Sequence, residues 1–285
     1  MKNKFIFVID IFNNKKFQLY LKRANLIFAF YCIYFLYNKI NDLNISSIKF
    51  VWTEVTLTFV FYLISGTLWS FFMLHNYSGK FFEYFFNWSY SKIGKYFPSG
   101  LLTFSVRINQ DTNKSKKVIF IGLLEEQFLI PFIAIPPLFI NLFLTNNQFQ
   151  VFYLIAEFLI FYSIIKILFK KLNFEYISLL KFNLLFLLNY FVPILLFHEI
   201  AKNLNYVDPL NISIIYFLSI CIGLFFIGVP AGIGIREFVF ISFIGSFLPN
   251  FEWITFIIKV RMIFILFDII FGIFGLLFTN LFNKK

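Results

Sequence analysis

Long apolar runs, each near the length of a membrane crossing and separated by short basic connectors, leave this chain little alternative to a helical bundle in a bilayer. Val51 to Leu74, Val118 to Leu144, Val151 to Phe169, Phe182 to Ile200, Ile212 to Val229 and Ile254 to Phe282 come close to or exceed the ~20 apolar residues that a helix needs to cross hydrocarbon. Leu26 to Tyr37 is shorter unless it extends to Ile40, and Ile235 to Leu248 is too short for a comfortable crossing. Composition agrees, with 60% hydrophobic and only 14% charged residues. A soluble domain carries about 25% charged residues, and too little polar surface remains here to build a water-facing exterior. The expected fold is all-α: a single polytopic transmembrane domain over residues 1–285, with about eight spans and no soluble domain.

The charge balance, 25 Lys and Arg against 14 Asp and Glu for a net +11, sets orientation rather than nucleic-acid binding. The basic residues gather between apolar runs, where they obey the positive-inside rule and meet anionic headgroups. Residues 1–23 hold Lys2, Lys4, Lys15, Lys16, Lys22 and Arg23, and the stretches Lys80 to Lys117 and Lys166 to Lys181 are similarly basic. These are expected on the cytoplasmic side. Asn38 to Phe50, Thr145 to Gln150 and Ala201 to Asn211 are poor in basic residues and are expected outside. Counting Ile235 to Leu248 as a crossing puts both termini in the cytoplasm of a plasma (inner) membrane protein. No small-residue cleavage site follows the N-terminal basic segment, which reads as uncleaved. Cys32 and Cys221 each sit in an apolar run and read as small core residues.

Two segments interrupt the helical pattern. Gly228 to Glu237 reads Gly-Val-Pro-Ala-Gly-Ile-Gly-Ile-Arg-Glu, and its proline and glycines break a helix at membrane depth. Exposed backbone is tolerated there only inside protein or beside a wet cavity, into which the helix restarting near Ile235 would aim its N-terminal N–H groups. A phosphate is a suitable guest for such a helix start. Ser91 to Gly100 is the second break, with Gly94, Pro98 and Gly100 beside Lys95 and Tyr96, and Arg107 follows. Broken helices near 91–100 and 228–237, each beside a cation, are the pattern of a site built from discontinuous helices. The alternative for Gly228 to Glu237 is a Pro-Gly kink with a local Arg-Glu ion pair. In the first half of the stretch Ser78 to Lys117, Phe81 to Tyr96 mixes aromatic residues with Glu83, Lys92 and Lys95, as in a helix that lies in the interface or dips into the membrane; a cytoplasmic loop is the other reading.

Ionisable groups inside the apolar runs add to the site. Glu125 and Glu126 lie in one span, and Arg261 and Asp268 in the last. Each costs roughly 2.5–3.5 kcal/mol to insert, so all should face the bundle interior and find partners. Arg261 and Asp268, seven residues apart, share a face but are too far apart to pair, which leaves Arg236, Glu237, Glu126 and Lys95 as candidate partners. A purely structural ion network is the alternative. Only four arginines occur in a chain with 48 Phe and an excess of Lys, a bias of the kind an AT-rich genome imposes, so a retained arginine hints at a fixed, forked charge. The same bias devalues aromatic residues as a signal.

Other chemistries find no support. With His75 and His198 the only histidines, a multi-histidine metal site is excluded, and no nucleophile elbow, P-loop or dinucleotide fingerprint occurs. No cofactor is implied.

At its two breaks the chain resembles the transmembrane-region family of lysylphosphatidylglycerol synthases. Pro230, Gly232, Gly234, Arg236 and Glu237 are similar to that family's Pro-x-Gly-x-Gly-x-x-Glu element, and Lys95, Tyr96, Pro98, Gly100 and Arg107 to the Lys-Tyr-x-Pro-Gly stretch and arginine of its glycan-associated branch. Glu126 matches the glutamate in the span after that arginine, and Arg261 with Asp268 the charged pair of the last span. Ser99 and Ala231 depart from the pattern, and the aminoacyl-transferase domain of the synthases has no counterpart. The resemblance therefore implies the lipid-translocating half alone: flipping of a phospholipid or lipid-linked saccharide, with these residues lining the substrate path and glycan-synthesis enzymes as possible partners. Two further readings are an intramembrane lipid-modifying or CAAX-protease-like enzyme using the paired glutamates, and an accessory scaffold of a glycan or lipid synthesis complex.

Overall fold

The computed structural model describes residues 50–76, 79–92, 183–224, 234–244 and 252–282, with isolated positions from 94 to 163. Among the described residues the fold is helical, without a strand. The elements are α1 (Trp52–Asn76), α2 (Phe81–Ser91), α3 (Asn183–Asn203), α4 (Pro209–Leu224), α5 (Ile235–Ile244) and α6 (Glu252–Phe282). By length and composition α1, α3 and α6 can each cross a membrane, and α4 is a shorter apolar helix. The N-terminal basic segment and the run Leu26 to Ile40 lie outside the described residues, as does most of Val118 to Leu144 and Val151 to Phe169.

Local chemistry sets the helix ends. The Glu54 carboxylate reaches back from the third position of α1 to accept the Val51 N–H (3.3 Å), the glutamate half of a capping box. Asp208 caps α4 by accepting the Asn211 N–H (3.2 Å), and Pro209 occupies the first helical position, where its missing N–H costs nothing. α3 stops where Asn205 takes a left-handed φ of 59°. The Tyr206 N–H then donates to the Ala201 carbonyl (3.2 Å) and the Asn205 N–H to that of Lys202 (2.9 Å), the paired closure of a Schellman motif.

Contacts fix the directions. α1 and α6 run parallel: Glu54 meets Lys259, and a helical stretch later the Tyr62 hydroxyl meets the Phe264 carbonyl and Asp268. α3 runs opposite to α1, with Asn203 beside Glu54 and Asn189 beside Ser65. α3 and α4 form a hairpin, and α5 returns along α4, placing Phe240 against Tyr216 (5.1 Å between ring centroids) and Phe256 (5.6 Å). α2 folds back along both α1 and α6, its Phe86 ring stacked on Phe278 at 4.7 Å.

Two of these helices are half-length. With 11 and 10 residues, α2 and α5 rise only ~16 and ~15 Å, about half of the ~30 Å hydrocarbon core. α2 enters from the end where α1 finishes, and its last turn arrives level with Tyr62, near the middle of α1. α5 starts level with Arg261 and runs toward the opposite end, where α6 begins. α2 thus ends beside the middle of α1 and α6, while α5 starts about 10 Å along α6 from there, nearer the end where α6 begins. Meanwhile Met262, Leu266, Ile269, Ile273 and Leu277 stand exposed along α6 at helical spacing, an apolar stripe suited to lipid rather than water.

α2 seats against α6 because Gly275 has no side chain: a β-carbon there would collide with the backbone nitrogen of Tyr90 and lie 2.6 Å from the Phe86 carbonyl oxygen. Backbone cannot yield as a flexible side chain can. Gly275→Leu should therefore push α2 off α6 and cost ~1–3 kcal/mol, read as a lowered unfolding midpoint in detergent; Leu277→Ala, on the exposed stripe of the same helix, is the comparison.

Candidate functional site

The start of α5 carries the first cluster. Gly234, at φ 90°, turns the chain in a left-handed conformation that favours glycine, and its N–H donates to Glu237 Oε2 (2.6 Å). Glu237 thus caps its own helix from the third position. Its other oxygen, Oε1, accepts from Arg261 of α6 through Nε (2.9 Å) and Nη2. Arg236, one residue earlier, lies across α4 at Gly223, where a β-carbon would sit 2.5 Å from Arg236 Cγ. Its Nε is buried without a hydrogen-bond partner. Two guanidinium groups therefore lie near the Glu237 carboxylate at a helix N-terminus, which itself favours anions.

A second cluster surrounds the end of α2. Lys92 is 8% exposed, and its ammonium lies 3.6 Å from the centre of the Trp88 ring and 5.8 Å from that of Tyr62. The cation also sits at a helix C-terminus, where the dipole welcomes it. Arg107 lies over the Trp69 ring (4.6 Å) and donates through Nε to Ser91 Oγ (2.9 Å). Across the cluster, the Tyr62 hydroxyl donates to Asp268 Oδ1 at 2.6 Å.

The third cluster closes the end where α1 and α6 begin and α3 finishes. Glu54 is fully buried; its Oε1 accepts from Lys259 Nζ (2.7 Å) and Asn203 Nδ2 (2.8 Å) while Oε2 caps α1. Lys259 is 3% exposed. In the low-polarity interior this pair is kept by short geometry and by satisfaction of both carboxylate oxygens.

Of the residues the sequence singles out, Gly234, Arg236, Glu237 and Arg261 come together at the α5 start. Arg107 and Asp268 belong to the second cluster. Lys95, Tyr96, Pro98, Gly100, Glu126, Pro230 and Gly232 lie outside the described residues. Arg261 takes one of its anticipated partners, Glu237, and Asp268 also accepts from Tyr62, a neutral hydroxyl that a search for opposite charge overlooks. Glu54 was also missed, although it is the one acidic residue in the run Val51 to Leu74. His198 and Glu199 stand side by side, 3.7 Å apart and part-exposed. Cys221 is a buried free thiol. Among the described residues no group of three His, Cys, Asp or Glu is placed to hold a metal ion.

Apolar helices long enough to cross a bilayer, with ionised groups clustered between them, define a membrane-embedded α-helical protein. No family model, curated protein or solved structure matches the chain.

The Glu54–Lys259 pair yields a signed prediction. Removing one partner strands a buried charge, so Lys259→Met alone should destabilise by ~3–5 kcal/mol, whereas Lys259→Met with Glu54→Gln should recover much of the loss. A double-mutant cycle of thermal midpoints in detergent checks this. Additive losses would mean that the two groups do not interact.

Proposed function

We propose that this protein translocates a lipid with an anionic headgroup, a phospholipid or a lipid-linked saccharide, across the plasma (inner) membrane. One observation carries the reading: half-helices α2 and α5 end toward each other inside the bundle, with Lys92 and Asp268 at one end and Arg236, Glu237 and Arg261 at the other. Discontinuous helices that meet at the midplane are how transporters present polar groups to a substrate inside hydrocarbon. Arg261 and Asp268 lie on one face of α6, about 10 Å apart along its axis, so a headgroup leaving one cluster finds the next within a step. The acyl chains stay in the bilayer, alongside the exposed stripe of α6.

In this reading the chain crosses the membrane about eight times with both termini in the cytoplasm, and is a relative of the synthase transmembrane-region family. Lys95, Tyr96, Pro98 and Gly100 continue the path beyond α2, Pro230 and Gly232 extend the α5 cluster, and Glu126 adds a carboxylate. Enzymes that make or extend the carried lipid or glycan are the natural partners. A scaffold role has one observation in its favour, the complete hydrogen bonding of Glu54, which marks that cluster as structural. Arg236 differs, because its Nε has no such partner.

Reconstitution in liposomes with fluorescent phosphatidylglycerol or a polyprenyl-linked sugar tests the reading. Arg236→Ala should slow flipping about tenfold, the value of one charged hydrogen bond, with the fold intact. Equal rates for Arg236→Ala and the native chain would remove the proposed site. Full retention of flipping after loss of both Arg236 and Arg261 would remove the whole path.

A further inference from the structure

We infer that Trp52, with Phe50 and Val51 beside it and Val207 in the α3–α4 turn, is an interfacial anchor that beds in the ester and headgroup zone of one leaflet and fixes the depth of α1 in the bilayer. This goes beyond the translocation reading and stands without it, because it concerns where the bundle sits and not what it carries.

Trp52 is the first residue of α1 and is 84% exposed, whereas the other tryptophans, Trp69, Trp88 and Trp253, are buried. Phe50 and Val51 stand exposed just ahead of it, and Val207 is 97% exposed. All four side chains belong to one end of the bundle. Asn203, the last residue of α3, donates to Glu54 in the first turn of α1, and the ring of Tyr206, next to Val207, lies 6.4 Å from that of Phe256 near the start of α6. Large apolar side chains left outside the packing of their own protein call for another apolar surface. An indole specifies more: its ring is apolar and its N–H must donate, so it belongs where hydrocarbon gives way to ester carbonyls and phosphates. Lys202, exposed in the last turn of α3, adds a cation at the same level, where anionic headgroups receive it.

Helix length gives the same placement independently. The apolar stretch of α1 runs from Trp52 to His75, 24 residues. That is ~36 Å at the α-helical rise, against ~30 Å of hydrocarbon, so each end overshoots by ~3 Å into the interface. His75, at the far end, is exposed and polar, so amphipathic rings bracket the apolar helix on both sides. The centre of the stretch falls between Leu63 and Ile64. Tyr62, and Asp268 to which it donates, therefore lie within ~3 Å of the bilayer midplane. Glu54, ~3 Å deeper than Trp52, lies at the hydrocarbon edge with Lys259 and Asn203, where a buried ion pair costs less than at the centre.

The test uses the full chain in liposomes and its own fluorescence. Subtracting the emission of Trp52→Phe from that of the native chain isolates Trp52 from the three buried indoles. Phospholipids brominated near the carbonyl end of their acyl chains should remove more of the Trp52 emission than phospholipids brominated near the methyl end, and aqueous iodide should remove little. In the Trp52→Phe chain, Leu63→Trp on α1 and Ile269→Trp on α6, both at exposed positions, report the midplane and should lose most emission to the methyl-end bromines. Either reporter suffices if the other fails to fold. Iodide quenching Trp52 more than any brominated lipid would mean a surface that faces water, and no quenching by either would mean a surface covered by protein; both outcomes overturn the anchor. Trp52 quenched most by methyl-end bromines, or both midplane reporters quenched most by carbonyl-end bromines, would overturn the depth.

Discussion

A charge inside hydrocarbon survives only with its partner built in, and α6 is where this protein meets that demand. Lys259, Arg261 and Asp268 project from one helix, and each is answered from another: Glu54 of α1, Glu237 of α5 and Tyr62 of α1. The two glutamates do the same double duty. Each stands at the third position of its helix, spends one oxygen on a backbone N–H at the helix start, and offers the other to a cation of α6. Helix capping and interhelical pairing are therefore a single arrangement. Drawing α1 or α5 away from α6 would strand a cation and disturb a helix terminus at once, which ties the ends of these helices to the axis of the bundle.

The half-helices pose the opposite problem, since each leaves a terminus inside the bundle. A helix end exposes several unpaired backbone groups, and no water is at hand in lipid to meet them. At the α5 start, Gly234 supplies the turn and Glu237 the acceptor. At the α2 end, Lys92 supplies a cation to the carbonyl end, and aromatic rings supply the surface on which that cation rests. Such rings are well adapted to this place: they pack like the rest of an apolar core and still present a negative face to a positive charge. The same walls that hold α2 in place also hold Lys92 and Arg107.

How much of this was legible beforehand varies by residue. The element Gly-Val-Pro-Ala-Gly-Ile-Gly-Ile-Arg-Glu marks a helix start near Ile235, and α5 begins there, with Gly234 in a left-handed conformation that the sequence reading did not specify. That charges in the last run need partners from other helices follows from insertion cost alone, and Arg261 with Glu237 answers it. Phe81 to Tyr96 reads as a helix that lies in the interface or dips into the membrane, and its place between α1 and α6 is set by packing, because Gly275 admits its backbone and Phe274 and Phe278 receive Phe86. Glu54 and Lys259 stand 205 positions apart, and no local pattern links them. The Trp88–Lys92 face was hidden differently: in a chain with 48 Phe, aromatic residues carry little information one at a time.

From the residues in order, physics yields the solvent and the elements. Apolar length demands a bilayer, a bilayer demands helices, and proline with glycine marks where a helix must stop. Which carboxylate meets which cation is a different kind of fact. It depends on the direction and depth of helices far apart along the chain, and only their packing brings Glu54 to Lys259, Tyr62 to Asp268 and the α2 terminus to the middle of α6.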